Sequence, residues 1–478
     1  MRMAARTRPI EHIDPDHGSP AQRLLDEAMT PELIRKYGKP VPRYTSYPTA
    51  PRFHSGVDAA TASAWLASIA PSARLSLYIH IPFCRSLCWF CGCHTRITRH
   101  EAPIRRYVSV LLDEIALAAA CLGGRRKVAH LHFGGGSPSL LQADDLKRIA
   151  EALHRRFDIA AGAEFAVEID PRTVDMARVA ALAEIGVNRA STGVQDFNPA
   201  VQRAIHREQP LDLTARVIGM LRGHGIGQIN VDLMYGLPLQ TVGSLAQTIG
   251  HTVGLQPDRI ALFSYAHVPW LKKHQKLIDE AALPDAWQRW CQARAAGRQL
   301  SAAGYVPVGL DHFALPSDAL ARAARQGALR RNFQGYTADP AGALIGLGTS
   351  AIGSLPEGYV QNAADANAYS AAVAAGGLPT ARGLRLTRED RLRAAIIERL
   401  MCALQVDIGA ICQALGFPAN HCDGVLPQLE ALARDGLATV EGRWVTVPEE
   451  ARLLVRAVAA CFDAYLQPTP APRHAAAV

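Results

Sequence analysis

The sequence predicts an α/β fold, a parallel sheet with right-handed crossovers that is open or rolled into a barrel. An N-terminal arm precedes it, and a mainly helical, winged-helix-like domain follows. Three observations predict this. From about residue 75, short β-branched or apolar runs alternate with longer helical patterns, which is the signature of strand-helix-strand units. Within those runs, apolar and polar residues alternate with period two, so each strand has one apolar and one polar face. Beyond residue 370 the rhythm breaks at an Ala/Gly-rich stretch, Ala371–Gly383, and an amphipathic pattern starts anew at Leu386–Leu400.

In chain order, residues 1 to about 30 are polar and punctuated by Pro9, Pro15 and Pro20, and read as a loosely ordered arm. The next part, through Arg43-Tyr-Thr-Ser-Tyr-Pro-Thr49, is too rich in tyrosine to be a simple linker and is expected to pack on something. Strands are expected at Leu75–Ile81, Ala129–Phe133, Glu164–Ile169, Asn188–Gly193, Gln228–Leu233 and Arg259–Ser264, with a seventh candidate at Tyr305–Leu310. Helices fit Ile104–Ala120 and Ala143–Phe157. In the first strand Leu75, Leu77, Ile79 and Ile81 share a face and leave Tyr78 and His80 on the other. In the third, Glu168 and Asp170 oppose Phe165, Val167 and Ile169. With helices covering the apolar face, these polar groups point inward, near the strand C-terminal ends where such folds place their sites. Near the C-terminus, Gly436–Val447 reads as a hairpin turned at Glu441-Gly442. The expected division is an arm over 1–74, the α/β unit over 75–370 and the C-terminal domain over 371–478.

Composition narrows the class. The 478 residues are 49% apolar, enough for a large catalytic domain and one or two smaller ones. No apolar run is long enough to span a bilayer, and the start lacks a signal peptide's apolar core, so the expected location is the cytoplasm. The net charge of +8 comes from 51 basic and 43 acidic residues without a Lys/Arg-rich block, so no nucleic-acid partner is expected; a small polyanionic substrate suits it equally. Ten cysteines in such a chain are expected to be reduced thiols.

The most specific motif is Tyr78-Ile-His-Ile-Pro-Phe-Cys84-Arg-Ser-Leu-Cys88-Trp-Phe-Cys91-Gly-Cys93. Three thiolates at this spacing can close around one iron-sulfur cube and leave one iron open to another ligand, which points to chemistry rather than electron storage. Zinc would want a second, well-separated pair of ligands, and none follows at such spacing, although Cys93 and His94 stand nearby. A secreted disulfide framework belongs to short, cysteine-dense chains. Gly134-Gly-Gly-Ser-Pro138 follows the second strand; its glycines let backbone approach a ligand, but it has neither the Lys-Ser/Thr of a phosphate loop nor a G-x-G-x-x-G pattern. Glu168, Gln195, Arg207 and Asp232 each lie near a strand C-terminal end, where a ligand role competes with a plain ion pair.

Taken together, these positions resemble the oxygen-independent coproporphyrinogen III oxidases (coproporphyrinogen dehydrogenases) of haem biosynthesis, which are radical S-adenosylmethionine enzymes. The likeness runs from about residue 34 to 466. It includes Pro42-Arg-Tyr-Thr-Ser-Tyr-Pro-Thr-Ala50, the cysteine segment, Gly193-Val-Gln-Asp-Phe197, Asp232-Leu-Met-Tyr-Gly-Leu-Pro238, Asp311-His-Phe313 and Arg331-Asn-Phe-Gln-Gly-Tyr-Thr337. The resemblance implies a partial (β/α)6 radical SAM barrel and a 4Fe-4S cluster on Cys84, Cys88 and Cys91, with Cys93 close by but not a ligand. It implies two S-adenosylmethionine molecules, one at Tyr78, Gly135 and Glu168, the other at Phe90, Gly136, Ser137, Gln195, Arg207 and Asp232, with further contacts from Ala266 and Ile352. Tyr78 and Cys93 are the candidate catalytic residues. Ser137 and Ser139 stand where family members often have threonine, which keeps the hydroxyl, and Thr192 stands where many have methionine. The arm is longer here than in the family.

The activity so implied is oxidative decarboxylation of two propionates of coproporphyrinogen III to vinyl groups, giving protoporphyrinogen IX. It needs an electron donor and an electron acceptor, both unidentified, and the enzyme is expected to be a monomer. Arg43 and Arg331 are candidate partners for the substrate propionates, with no arginine assigned that role. Two rivals remain at this stage. A haem chaperone of the same superfamily would share the barrel but usually lacks the Arg-Tyr-Thr-Ser-Tyr-Pro arm and the cysteine at position 93. A cluster-bearing DNA regulator would use the winged-helix-like part, which lacks a basic recognition helix.

Overall fold

The computed structural model describes residues 29–466. Most of the expected polar arm lies outside them. Six strands, β1 (Leu75–Ile81), β2 (Lys127–Gly135), β3 (Asp158–Ile169), β4 (Arg189–Gln195), β5 (Gln228–Tyr235) and β6 (Arg259–Ser264), lie side by side in chain order, all parallel. Each overlaps its sequence-based expectation. A seventh parallel strand, β7 (Ala343–Leu347), adds to the free side of β1. The seventh strand expected at Tyr305–Leu310 needs correcting. Val306–Val308 does form a strand, but it is an antiparallel edge strand beyond His312–Ala314, at the other end of the sheet. The period-two pattern finds a strand but carries no direction, and Pro307 is itself a sign of an edge.

A helix follows each of the six strands: α1 (Glu101–Cys121), α2 (Ala143–Arg156), α3 (Met176–Glu184), α4 (Leu211–Gly223), α5 (Val242–Gly254) and α6 (Ala286–Ala302). Their starts are locally encoded where a short polar side chain meets a free backbone N–H: Asp175 accepts from Arg178 N, and Thr241 with Ser244 and Asp285 with Gln288 form capping boxes. The apolar strand face carries Leu77, Ile79, Phe133, Val167 and Val231, packed with Leu111, Ile149, Leu182 and Ile249 of the helices in one continuous core. Each such fully buried side chain contributes about 1.5–3 kcal/mol from water exclusion. The other face is thereby left for polar groups.

A second core joins the two ends of the described chain. Ile34, Val41, Tyr44 and Tyr47 pack with Leu392, Ile396, Leu429, Val458 and Phe462. Tyr44 Oη donates to Asp463 Oδ2 at 3.1 Å, and Ala464 N donates to Tyr47 Oη at 2.9 Å. The tyrosine-rich segment thus packs on the C-terminal part. There, α7 (Arg388–Ala403) and shorter helices accompany a three-stranded sheet whose hairpin turns at Glu441-Gly442, with Glu441 opposite Trp444. The Ala/Gly-rich stretch holds the end of one helix, Ala366–Ala374, and most of an edge strand, Thr380–Arg385. Among the described residues no helix is long and apolar enough to cross a membrane.

Candidate active site

The cysteine segment leaves the C-terminal end of β1. Phe83–Cys84 pairs in parallel with Arg96–Ile97, which closes residues 85–95 into a loop over the sheet's polar face. Cys84, Cys88, Cys91 and Cys93 all line one cavity of about 170 Å3, together with Gly135, Gly136, Glu168, Gln195, Arg207 and Asp232. Residues from the ends of five strands or the loops after them therefore meet at one place. A larger cavity, of about 480 Å3, lies between α6 and residues 449–453 and contains no predicted site residue.

Each thiol has a different setting. Cys88 Sγ accepts from Arg172 Nη2 at 3.3 Å and Arg207 Nη1 at 3.5 Å. Cys91 Sγ accepts from Cys93 N at 3.4 Å, and hydrogen bonding from Cys93, helped by Lys272 and His274, pushes the Cys91 thiol down to about 6 despite burial. The Cys93 thiol is held well above its ordinary range, first by its bond to Cys91 and then by that residue's charge. Burial pushes Cys84 up to about 12. From outside, His274 Nε2 lies 2.8 Å from Cys91 O, Lys272 Nζ donates to Cys93 O at 3.0 Å, and Gln275 Nε2 donates to Phe90 O at 3.0 Å. Trp89 stacks on His206 with centroids 5.3 Å apart, and Trp89 and Phe90 pack on Val201, Ile205 and Tyr265.

The glycines have a steric reason. At Gly135, with φ +112, a Cβ would stand 2.5 Å from the His80 ring; at Gly136 it would stand 2.6 Å from Phe83 O. Gly135 N donates to Glu168 Oε2 at 3.0 Å, and His132 Nε2 lies 3.3 Å from Glu168 Oε1. Burial opposes ionisation of Glu168, but His132 and the Gly135 N–H outweigh it and hold the carboxyl below its usual range. Asp232 is the contrast: burial pushes it up to about 6, against bonds from Ser191 Oγ and Asn230 Nδ2, both at 2.8 Å. Arg207 Nη2 donates to Gly193 O at 2.7 Å and pairs with Asp170 at 3.4 Å. Gln195 sits at a bulge of β4 with φ +72, a strained conformation for a non-glycine residue. Tyr78 Oη lies 3.1 Å from His80 Nδ1, and burial raises its pKa. Ser137 is buried, its Oγ 3.3 Å from Ser139 Oγ.

Not every predicted residue joins this cavity. Ala266 contributes its carbonyl to Gln275 Nε2 at 3.1 Å, and Ile352 stands on an antiparallel strand beyond β7; neither is in the cavity wall, and Tyr78 and Ser137 are not in it either. Residues that sequence reasoning missed include Arg172, His132 and the clamp of Lys272, His274 and Gln275. His132 was legible by alternation, since it shares the inward face of β2 with His130. The clamp lies in irregular backbone and carries no periodic signal.

The donor set fits an iron-sulfur cluster. Cys84, Cys88 and Cys91 line one space with Cys93 beside them, and Arg172 and Arg207 donate to Cys88. Thiolate ligation with hydrogen bonds to sulfur is what such clusters use.

These features define a radical S-adenosylmethionine protein, and residues 78–251 match the family model described as the Radical SAM superfamily. Residues 386–454 match the HemN C-terminal domain. The chain is 49% identical to an oxygen-independent coproporphyrinogen III oxidase of Bradyrhizobium diazoefficiens over 92% of this chain and 98% of that one. It is 43% identical to another from Paracoccus denitrificans, over 94% and 98% of the two chains. The fold is similar to the coproporphyrinogen III oxidase (HemN) structure from Escherichia coli, with TM-score 0.85 and 38% identity, covering 89% of this chain and 98% of that one. The chain belongs to the oxygen-independent coproporphyrinogen III oxidases, radical SAM oxidoreductases of haem biosynthesis.

Proposed function

We propose that this chain converts two propionate side chains of coproporphyrinogen III to vinyl groups, giving protoporphyrinogen IX without oxygen. The observation that carries the reading is the convergence of Cys84, Cys88 and Cys91 on one cavity with Gly135, Glu168, Gln195, Arg207 and Asp232. The three cysteines would hold the 4Fe-4S cluster, with Cys93 beside it and not a ligand. Two S-adenosylmethionine molecules would be held by the residues named for them above. When bound, these groups would supply the radical chemistry that removes a hydrogen atom from a propionate β-carbon, and the one electron released with carbon dioxide as the vinyl group forms would pass to an external electron acceptor.

The chain's own residues supply binding, orientation and dryness. Glu168, kept ionised, can accept from an ammonium or ribose hydroxyl, while its second oxygen is fixed by Gly135. Arg207 presents charge toward Cys88 and is steadied by Gly193 and Asp170. Tyr78, with His80 on its hydroxyl, is a proton-holding group on the inward face. Trp89 and Phe90 pack on Val201, Ile205 and Tyr265, and Phe90 also lines the cavity, so apolar surface on this side limits solvent access to it. Ten free thiols suit a reducing cytoplasm. In fold terms we read the first six parallel strands as a partial barrel, within units 1–74, 75–370 and 371–478, acting as a monomer.

The test is anaerobic turnover of reconstituted protein with coproporphyrinogen III, S-adenosylmethionine, reductant and cell extract. Protoporphyrin with about two deoxyadenosines per product is expected, one radical per decarboxylation. Cluster-loaded protein that forms neither product would overturn the reading in favour of a haem chaperone.

A further inference from the structure

Positively charged side chains gather where the N-terminal segment meets the sheet. Arg43, Arg331 and Arg456 line one small cavity beside Phe263 and Asp311, and Arg289 of α6 approaches the same place, bonding Ser264 Oγ and Tyr265 O. Asp311 is the one carboxylate among the described residues of that wall, and His312 Nδ1 already lies 2.7 Å from its Oδ1. Three guanidinium groups therefore share the wall with one carboxylate, and a fourth, Arg289, stands beside Arg43. Burial pushes Arg43, Arg289 and Arg456 down from the ordinary arginine range, while at Arg331 burial is outweighed by Tyr336 and Asp311, which raise it.

The donors are set out but not used up. The Arg331 side chain is 4% exposed, with its ring-facing guanidinium 4.3 Å from the Tyr336 centroid; its Nη1 stands 4.0 Å from Asp311, and neither Nη1 nor Nε has a hydrogen-bond partner. Arg289 Nε also lacks one. Arg43 spends Nη2 on Ser264 O at 3.1 Å. The cavity measures about 30 Å3, against roughly 10–15 Å3 for one water on the same kind of measure, which suits the two oxygens of a carboxylate. Tyr235, Leu262, Leu310, Asp311 and Leu453 line both this cavity and the one of about 480 Å3 between α6 and residues 449–453, so the small cavity adjoins the larger one.

We propose that this cavity is a carboxylate site that holds one propionate of the porphyrinogen, with Arg43 and Arg331 as donors and Arg289 and Arg456 as the positive ground behind them. The identity of the anion rests on the function proposed above. A guanidinium fork matches a carboxylate in two parallel bonds, so the site would fix the macrocycle's orientation as well as attract it.

The experiment compares coproporphyrin III, the stable oxidised tetrapropionate, with its tetramethyl ester. Binding to the full, anaerobically reconstituted chain is read by tryptophan quenching, and S-adenosylmethionine binding is measured in parallel. The variants are Arg331→Gln, Arg331→Lys and Arg43→Gln, with cluster absorbance and melting as folding controls. Expected is that the wild type prefers the acid, that Arg331→Gln and Arg43→Gln weaken the acid about tenfold or more while sparing the ester and S-adenosylmethionine, and that Arg331→Lys recovers part of the loss. Unchanged acid binding in both Gln variants, or equal loss for acid and ester, would overturn the site. Selective loss of S-adenosylmethionine would assign the anion to that molecule's carboxylate instead and overturn the propionate. Wild type that binds neither porphyrin would bring down the substrate reading itself, an outcome distinct from the others.

Discussion

Arg172 Nη2 lies 3.3 Å from Cys88 Sγ while the same guanidinium is held by Asp170 Oδ2 at 2.7 Å. The carboxylate fixes the arginine, and the arginine points a charged donor at one thiol of the cysteine motif. Asp170 itself is brought down to about 2, burial being outweighed by Arg207 and Arg172. Charged hydrogen bonds to a ligand sulfur favour the reduced cluster. Arg172→Gln is therefore expected to lower the cluster's midpoint potential by roughly 60 mV, a tenfold change for a one-electron couple. Potentiometric titration followed by electron paramagnetic resonance checks this, and an unchanged midpoint would refute it.

The four cysteines at the cavity are expected to part into two groups. Serine at position 84, 88 or 91 should abolish the visible absorbance of the reconstituted cluster. Cys93→Ala should keep it, because the contact to Cys91 Sγ includes the backbone N–H of residue 93, which survives the change. Iron and sulfide analysis of the four variants measures the difference.

Gly135→Ala places a methyl group 2.5 Å from the His80 ring at a backbone φ of +112. Strain of this kind costs about 1–3 kcal/mol. The expected outcome is a matching fall in unfolding free energy and a loss of S-adenosylmethionine affinity, read by urea denaturation and calorimetric titration. Gly162→Ala, where nothing lies within 4 Å of the added carbon, is the control.

Glu114 is buried on α1 and accepts from Gly348 N, Asn362 Nδ2 and Tyr369 Oη. Burial outweighs these bonds and raises its carboxyl to about 7. An acid whose pKa is higher folded than unfolded binds its proton more tightly when folded. Its contribution to stability is thus greatest below about pH 4.5 and falls until pH passes 7, by about 3 kcal/mol at roughly 1.4 kcal/mol per unit. Glu114→Gln should remove that part of the pH dependence, and denaturation midpoints of both proteins between pH 5 and 8 test it.

Legibility in the sequence followed periodicity. The six parallel strands were readable because each carries apolar residues on one face, as Leu77 and Ile79 do beside Tyr78 and His80. The cysteine motif was readable because its ligands are close in sequence, and Gly135 because a glycine triplet ends a strand. β7 was missed: Ala343–Leu347 is five residues long and comes 79 residues after Ser264, and no local signal tells a strand which edge to join. Arg331 is named from the sequence with Arg43, but Arg289 and Arg456 lie in other elements, and only the fold brings them near. Arg172 was invisible as a sulfur donor because nothing in Asp170-Pro-Arg172 announces Cys88.

Tyr44 and Asp463, joined at 3.1 Å, are 419 residues apart in sequence. At ribosomal rates of about 5–20 residues per second, roughly 20 to 80 s pass between synthesis of the first and of the second. During that time Ile34, Val41, Tyr44 and Tyr47 and then Trp290, Leu392 and Ile396 have been made, but Val458 and Phe462, which complete the same core, have not. Exposed apolar segments in a nascent chain are sticky, and contacts that close so long a loop form late. The core shared by the N-terminal segment closes only after Val458 and Phe462 are made, so mutations in Phe462 or Val458 are expected to show first as poor yield of full-length chain rather than as slow turnover.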